Sequence, residues 1–291
     1  MKPRAGINPI LPLFAAACLL GAAGAAGAPA FAADASPWEG DNHASVRLVA
    51  GRAQLLTGSQ LFRAGVEFKL QSGWKTYWRY PGDSGVPPIF DFGDSENIKS
   101  VTVLWPAPER FTDGSGYSIG YKDSVILPLH VLPRDDNKPV VLRVKLDYAA
   151  CEQVCVPAKA ALELQLTRVE GVFDPAMLAA EARVPKQTSI GSGQSLVIRA
   201  VHRVLGALRG RVLVDVATPA PTMVDLFAEG PTPKWALPVP EPVPGTTSTL
   251  QSFRFDIDGM PPGAVVDGAT LKLTAVSKKA GHAIEVEYRL E

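Results

Sequence analysis

The chain has 291 residues, and its 29 Lys and Arg balance 29 Asp and Glu. With no block of five or six like charges, that balance excludes nucleic acid and anionic membrane surfaces as partners. The length exceeds a typical single domain and suits two modules of about 100 to 130 residues each.

Lys2 and Arg4 precede an apolar, alanine-rich run from Ile10 to Ala28, and Ala30-Phe31-Ala32 places small residues where a signal peptidase reads. Residues 1–33 are therefore expected to be a signal peptide, cleaved after Ala32 or Ala33, with Cys18 discarded. The product keeps 27 basic residues against 29 acidic ones and is expected to be exported. No later stretch approaches the roughly 20 apolar residues that span a bilayer.

After a polar entry containing Trp38, Leu61 to Leu70 alternates, with Phe62, Ala64, Val66, Phe68 and Leu70 on one face. That pattern predicts a half-buried strand. Trp74, Tyr77, Trp78 and Tyr80 follow in a hairpin-like run that stops at the turn cluster Pro81 to Gly85. Trp74 and Trp78 read as core, although a sugar or peptide platform is the functional alternative. Asn97 to Trp105 reads as a strand. Glu109 to Tyr121 (ERFTDGSGYSIGY) has neither period and is expected to be a loop, of a length that often carries function. Ser124 to Leu132 and Val140 to Tyr148 restore strand patterning. Pro157 breaks the chain before Leu162, Leu164 and Leu166 alternate again.

Asp174-Pro175 and the helix formers to Arg183 predict one short helix. Pro185 to Ser195 reads as a linker. Short strands then recur over Leu196–Val204, Arg211–Ala217, Leu250–Ile257, Thr270–Val276 and Ala283–Leu290, while the proline-rich Pro231 to Pro244 is an extended connection or edge. Many short strands with Gly and Pro turns predict an all-β protein of two sandwich modules, 34–170 and 195–291, joined by a helix and linker over 171–194.

Tyr148 to Ala158 (YAACEQVCVPA) holds the two cysteines left after signal cleavage. Cys151 and Cys155 can be a reversible dithiol, a structural disulfide or half of a metal site. A bond across so short a loop contributes only about 2 kcal/mol in the chain-entropy model, against about 4.7 for a loop of 100 residues. That smallness favours a bond meant to open. Glu152 adjoins Cys151, Asp147 lies four residues before it, and no cation lies between the cysteines. The site is thus suited to attack as a disulfide rather than to being a strong thiolate nucleophile. Phe111, Tyr117 or Tyr121 of the expected loop is a candidate cover. Copper(I) handling is an alternative, because thiolates suit that ion; it needs a third soft ligand, and His130 and Met177 are each more than twenty residues from the nearer cysteine. His43, His130, His202 and His282 are scattered, and no nucleotide, zinc-protease or serine-hydrolase motif is present. No cofactor is expected.

The strings GWKTYWRYPGDSG, LWPAPERF, GYKDSVILPL and YAACEQVCVPA resemble the amino-terminal periplasmic domain of the DsbD/ScsB family of thiol:disulfide interchange proteins, over roughly residues 40 to 168. The remainder more loosely resembles the second β module of the ScsB-like branch. The resemblance implies immunoglobulin-like sandwiches and a periplasmic location. It also implies that Cys155 forms the mixed disulfide with partners while Cys151 resolves it, under a cap loop. Reducing equivalents would come from a membrane thiol:disulfide transporter and pass to thioredoxin-like or disulfide-isomerase clients. The chain departs from the full family pattern in lacking the multi-helix membrane domain and the thioredoxin-like CxxC domain, and its cysteines are closer together. The rival reading is a redox-inert adaptor clipped by a structural disulfide.

Overall fold

The computed structural model describes Met1 and residues 34–291, apart from 57, 115, 168, 205–209 and 279–280. The expected signal segment, with Lys2, Arg4 and Cys18, lies outside the described residues.

The first half of the chain is β1 (Glu39–Gly40), β2 (Ala44–Leu56), β3 (Ser59–Leu70), β4 (Lys75–Gly82), β5 (Ile89–Asp91), β6 (Ile98–Val103), β7 (Glu109–Asp113), β8 (Gly116–Lys122), β9 (Ser124–Pro133), β10 (Val140–Cys151) and β11 (Cys155–Leu166). These strands form two sheets, one ordered β1-β2-β3-β9-β6 and the other β11-β10-β4-β8-β7, with β5 added against β10. The even-numbered residues Phe62 to Leu70 of β3 and Val140 to Tyr148 of β10 interlock between the sheets with Trp74, Trp78 and Tyr80. The two tryptophans are therefore core residues, which removes the platform alternative. Burial of this alternating set is the main favourable term for such a sandwich.

Two expectations give way here, and the sequence reading passes over Ala44–Leu56, a strand of 13 residues whose Ala44, Val46, Leu48 and Ala50 enter the core before the register shifts after Gly51. Glu109 to Tyr121 is a paired hairpin rather than an irregular loop, with Glu109 opposite Gly120 and Asp113 opposite Gly116. Pro157 does not break the chain, because it lies within β11 at the sheet edge, where a missing donor is tolerated.

The one helix among the described residues, α1 (Asp174–Ala182), buries Met177 and Ala180. Asp174 does not cap it. Its carboxylate instead accepts from the Arg52 and Gly171 backbone N–H groups, and Glu181 takes a bidentate bond from the buried Arg63 at 2.8 and 2.7 Å. The helix is thereby tied to β2 and β3.

The second half contributes two further sheets. One runs Lys186–Gln187, Ala283–Arg289, Thr270–Ser277, Val224–Glu229, and the other Val197–Val204, Arg211–Ala217, Leu250–Asp256, Glu241–Pro242. The expected linker thus donates a two-residue parallel strand, and Val224–Glu229 is a strand that the sequence reading passes over. The fold is all-β and immunoglobulin-like.

The halves meet through β4. The Trp78 and Phe227 ring centroids lie 5.7 Å apart, and Tyr80 donates to the Leu237 carbonyl. Arg79 donates to Glu229 at 2.6 Å and also to Glu285, which takes further bonds from Gln187 and Thr274. Burial pushes the Glu285 carboxyl up, but Arg79 and Gln187 pull it further down, below its ordinary value. A depressed carboxyl contributes stability that is present above its unfolded pKa and lost as pH falls through the folded one. The thermal unfolding midpoint should therefore fall as pH drops from about 5 to about 3. Glu285→Gln should lower the midpoint at neutral pH and flatten that acid loss, as followed by circular dichroism.

Candidate functional site

β10 and β11 form a hairpin in which every residue from Val140 to Cys151 faces one from Leu166 to Cys155. The turn Glu152-Gln153-Val154 closes this register, leaving Cys151 and Cys155 directly opposite one another and joined by a disulfide. The strand period then sorts the neighbours: Tyr148 and Ala150 enter the core, whereas Ala149 and Cys151 lie on the other face and cluster with Tyr77. Cys151 is 1% exposed and Cys155 is exposed. Of the two cysteines, Cys155 is the exposed one.

β4 supplies the floor of the site. It pairs with β10 at Lys75 opposite Cys151, and the Thr76 hydroxyl donates to the Ala149 carbonyl at 3.0 Å. With Trp74, Trp78 and Tyr80 in the core, Lys75 and Tyr77 face the cysteines. The Tyr77 hydroxyl donates to Cys151 Sγ at 2.9 Å and lies 3.1 Å from Cys155 Sγ. One phenolic proton serves one sulfur at a time, so this hydroxyl can follow whichever sulfur carries charge. The ring is held by the turn after β4. Gly85 has φ +135°, and a Cβ there would stand 2.3 Å from Tyr77 Cε1, so only glycine lets the turn close over the ring.

The β7–β8 hairpin lies beyond β4. Gly120 stands opposite Tyr77, where a Cβ would be 1.9 Å from the Thr76 carbonyl oxygen. The three candidate covering rings part company here. Phe111 is half-buried, with its centroid 5.7 Å from Lys75 Nζ. Tyr117 lies 5.1 Å beneath the Arg110 guanidinium. Tyr121 corrects the expectation: it is a core residue whose hydroxyl donates to the Pro106 carbonyl at 2.7 Å, and burial drives its pKa well above the ordinary tyrosine value. A ring inside the sandwich does not cover sulfurs on its outer face.

Charge around the sulfurs is mostly paired. Lys122 binds Glu109 at 3.0 Å, and Lys159 binds Asp147 at 3.0 Å. Glu152 folds back over the Gly73 turn. His43 stacks on Trp74 at 4.2 Å, and His130 lies 3.5 Å from Glu181, both in structural contacts. Among the described residues no group of three His, Cys, Asp or Glu side chains could hold a metal ion.

Residues 47–167 match the family model described as thiol:disulfide interchange protein DsbD, N-terminal. That segment is thus similar to the amino-terminal domain of the DsbD family. No curated protein sequence matches the chain. Among solved structures, the crystal structure of the N-terminal periplasmic domain of ScsB from Proteus mirabilis is similar, with a TM-score of 0.68 at 21% identity, covering 88% of this chain and 98% of that one. The shared fold thus extends beyond the DsbD segment into the second half. The family match and the bonded cysteine pair support thiol:disulfide interchange in general.

Tyr77 and Lys75 are the residues that sequence reasoning missed. Strand alternation across the aromatic run carried the signal, since placing Trp74 and Trp78 in the core forces Lys75 and Tyr77 to the opposite face. Hydrogen bonds to a charged group contribute about 1.5 to 3 kcal/mol. Tyr77→Phe should therefore slow opening of the disulfide by a dithiol about tenfold or more, measured by stopped-flow with the fold checked by circular dichroism.

Proposed function

We propose that the chain is an exported thiol:disulfide carrier that accepts reducing equivalents through Cys155 and Cys151 and hands them to other exported proteins. The supporting observation is the asymmetry of the pair, with Cys155 exposed at a hairpin tip and Cys151 buried behind it against the Tyr77 hydroxyl.

The reaction follows from that asymmetry. A partner thiolate attacks Cys155 Sγ in line with the S–S bond, forming an intermolecular disulfide while the bonding pair leaves on Cys151 Sγ. The partner's second thiolate then attacks its own sulfur in the mixed disulfide and releases Cys155. The partner departs as a disulfide, and this chain holds the dithiol after taking up two protons. In the reverse direction Cys151 is the resolving thiolate, and an oxidised client is reduced.

The donor in this reading is a membrane-embedded thiol:disulfide transporter, and the clients are thioredoxin-like or isomerase proteins of the periplasm. The cysteine-bearing sandwich, residues 34–170, acts as the redox module. Phe111 is the covering ring in this reading, because it lies against Lys75, the residue opposite Cys151. A hairpin already zipped to its end gains little from a short cross-link, which favours this reading over a structural clip.

Mixed disulfides trapped in the native envelope test the reading. Cys151→Ala should accumulate covalent adducts through Cys155, identified by mass spectrometry, and Cys155→Ser should accumulate none. A Cys155→Ser protein that reduces a partner at the unsubstituted rate contradicts it.

A further inference from the structure

A cavity of about 420 Å³ opens where the start of β7, the C-terminal end of α1 and the strands Val224–Glu229 and Thr270–Ser277 of the second half come together. Its size falls within the roughly 300 to 1,000 Å³ of small-molecule sites. Neither cysteine lines it, and nothing in the exchange reaction proposed above accounts for it.

The charges of the lining do not cancel. Arg110 of β7, Arg183 at the end of α1 and Lys278 just past Thr270–Ser277 line the cavity, with Asp225 and Glu109 as its carboxylates. Glu109 is held by Lys122 at 3.0 Å, so that pair is neutral. Asp225 is shared, with Lys278 Nζ 3.1 Å from one oxygen and Arg110 Nε 3.6 Å from the other. One carboxylate between two cations offsets only one of them. The Arg183 carbonyl accepts from the Ala107 N–H at 2.8 Å, but its exposed guanidinium has no ion pair among the described residues. Two positive charges are thus left without a counter-ion.

Arg110 is more than a strut between the halves. Its Nη2 donates to the Leu226 and Pro240 carbonyls at 3.0 and 3.1 Å, and its guanidinium lies over the Tyr117 ring. Yet the side chain is only 10% exposed, and its buried Nε has no hydrogen-bond acceptor. A buried donor without an acceptor is unfavourable, and more so when it belongs to a charged group. An acceptor held in the cavity removes that cost.

We propose that this cavity binds a small dianion whose charge sits on carboxylate or phosphate oxygens, with Arg110 and Arg183 as donors and Lys278 balancing the charge. A guanidinium suits either group, because its planar N–H array matches two oxygens at once. Arg110 comes from the first half and Lys278 from the second, so the occupant joins the halves and stabilises the folded chain. No bond forms or breaks and no electron moves, so the site stands apart from the chemistry of the cysteines.

Calorimetric titration of the full chain tests this, with inorganic phosphate and succinate as separate probes near neutral pH at fixed ionic strength. Saturable binding of at least one is expected, phosphate alone marking a phosphate-bearing occupant and succinate alone a dicarboxylate. The thermal unfolding midpoint should rise with the concentration of the bound probe. Because the Arg183 side chain is exposed and unpaired, Arg183→Met should keep the fold while weakening binding about tenfold or more, and Arg183→Lys should lose less. Arg199→Met, which removes an exposed arginine of Val197–Val204, should leave the affinity in place. Saturable binding of neither probe, undiminished binding by Arg183→Met, or an equal loss in Arg199→Met overturns the proposal and leaves a solvent-filled gap between the halves.

Discussion

The register of the β10–β11 hairpin is the constraint on which the rest depends. Its pairing carries Val140 opposite Leu166 without interruption to Cys151 opposite Cys155. Because the side-chain period of a strand is two, a slip of one residue would turn Cys151 into the core and move Tyr148 and Leu146 out of it. Holding those side chains inside therefore fixes the sulfurs outside. The same burial that stabilises the sandwich aims the cysteine pair, and the turn Glu152-Gln153-Val154 needs only to close what the strands have aligned.

The strand next to that hairpin has two duties. Its core face, Trp74, Trp78 and Tyr80, fills the space between the sheets, while its other face presents Lys75 and Tyr77 to the disulfide and Arg79 to Glu229 and Glu285. Floor and inter-half clamp are thus consecutive outward residues of one strand. The Pro81 to Gly85 turn then closes over the Tyr77 ring, where glycine is required both for its positive φ and for the space it leaves.

Much of this was legible in the sequence where burial is one-sided. Phe62 to Leu70 and Val140 to Tyr148 alternate because one face of each meets the core, and the latter strand runs on to Cys151. Other strands hid for identifiable reasons. Val224 to Glu229 shows no alternation because Phe227 packs into the first core while Leu226 and Ala228 pack into the second. Ala44 to Leu56 is interrupted by an irregularity between Gly51 and Gln54. The β7–β8 hairpin is rich in Gly and Ser because its strands run close to β4, as Gly120 against Thr76 illustrates. Tyr77 and Lys75 could not be joined to the cysteines from local sequence, since more than seventy residues separate them along the chain and only strand pairing brings them together.

The central claim is that the Cys151–Cys155 bond exists to open and close. Its reduction potential, measured by equilibration against a series of dithiol–disulfide buffers with the two states separated by alkylation and mass, tests that claim directly. A carrier requires a value above about −300 mV, within reach of other exchange proteins, whereas a value well below about −300 mV would mark the bond as a permanent clip and contradict the account.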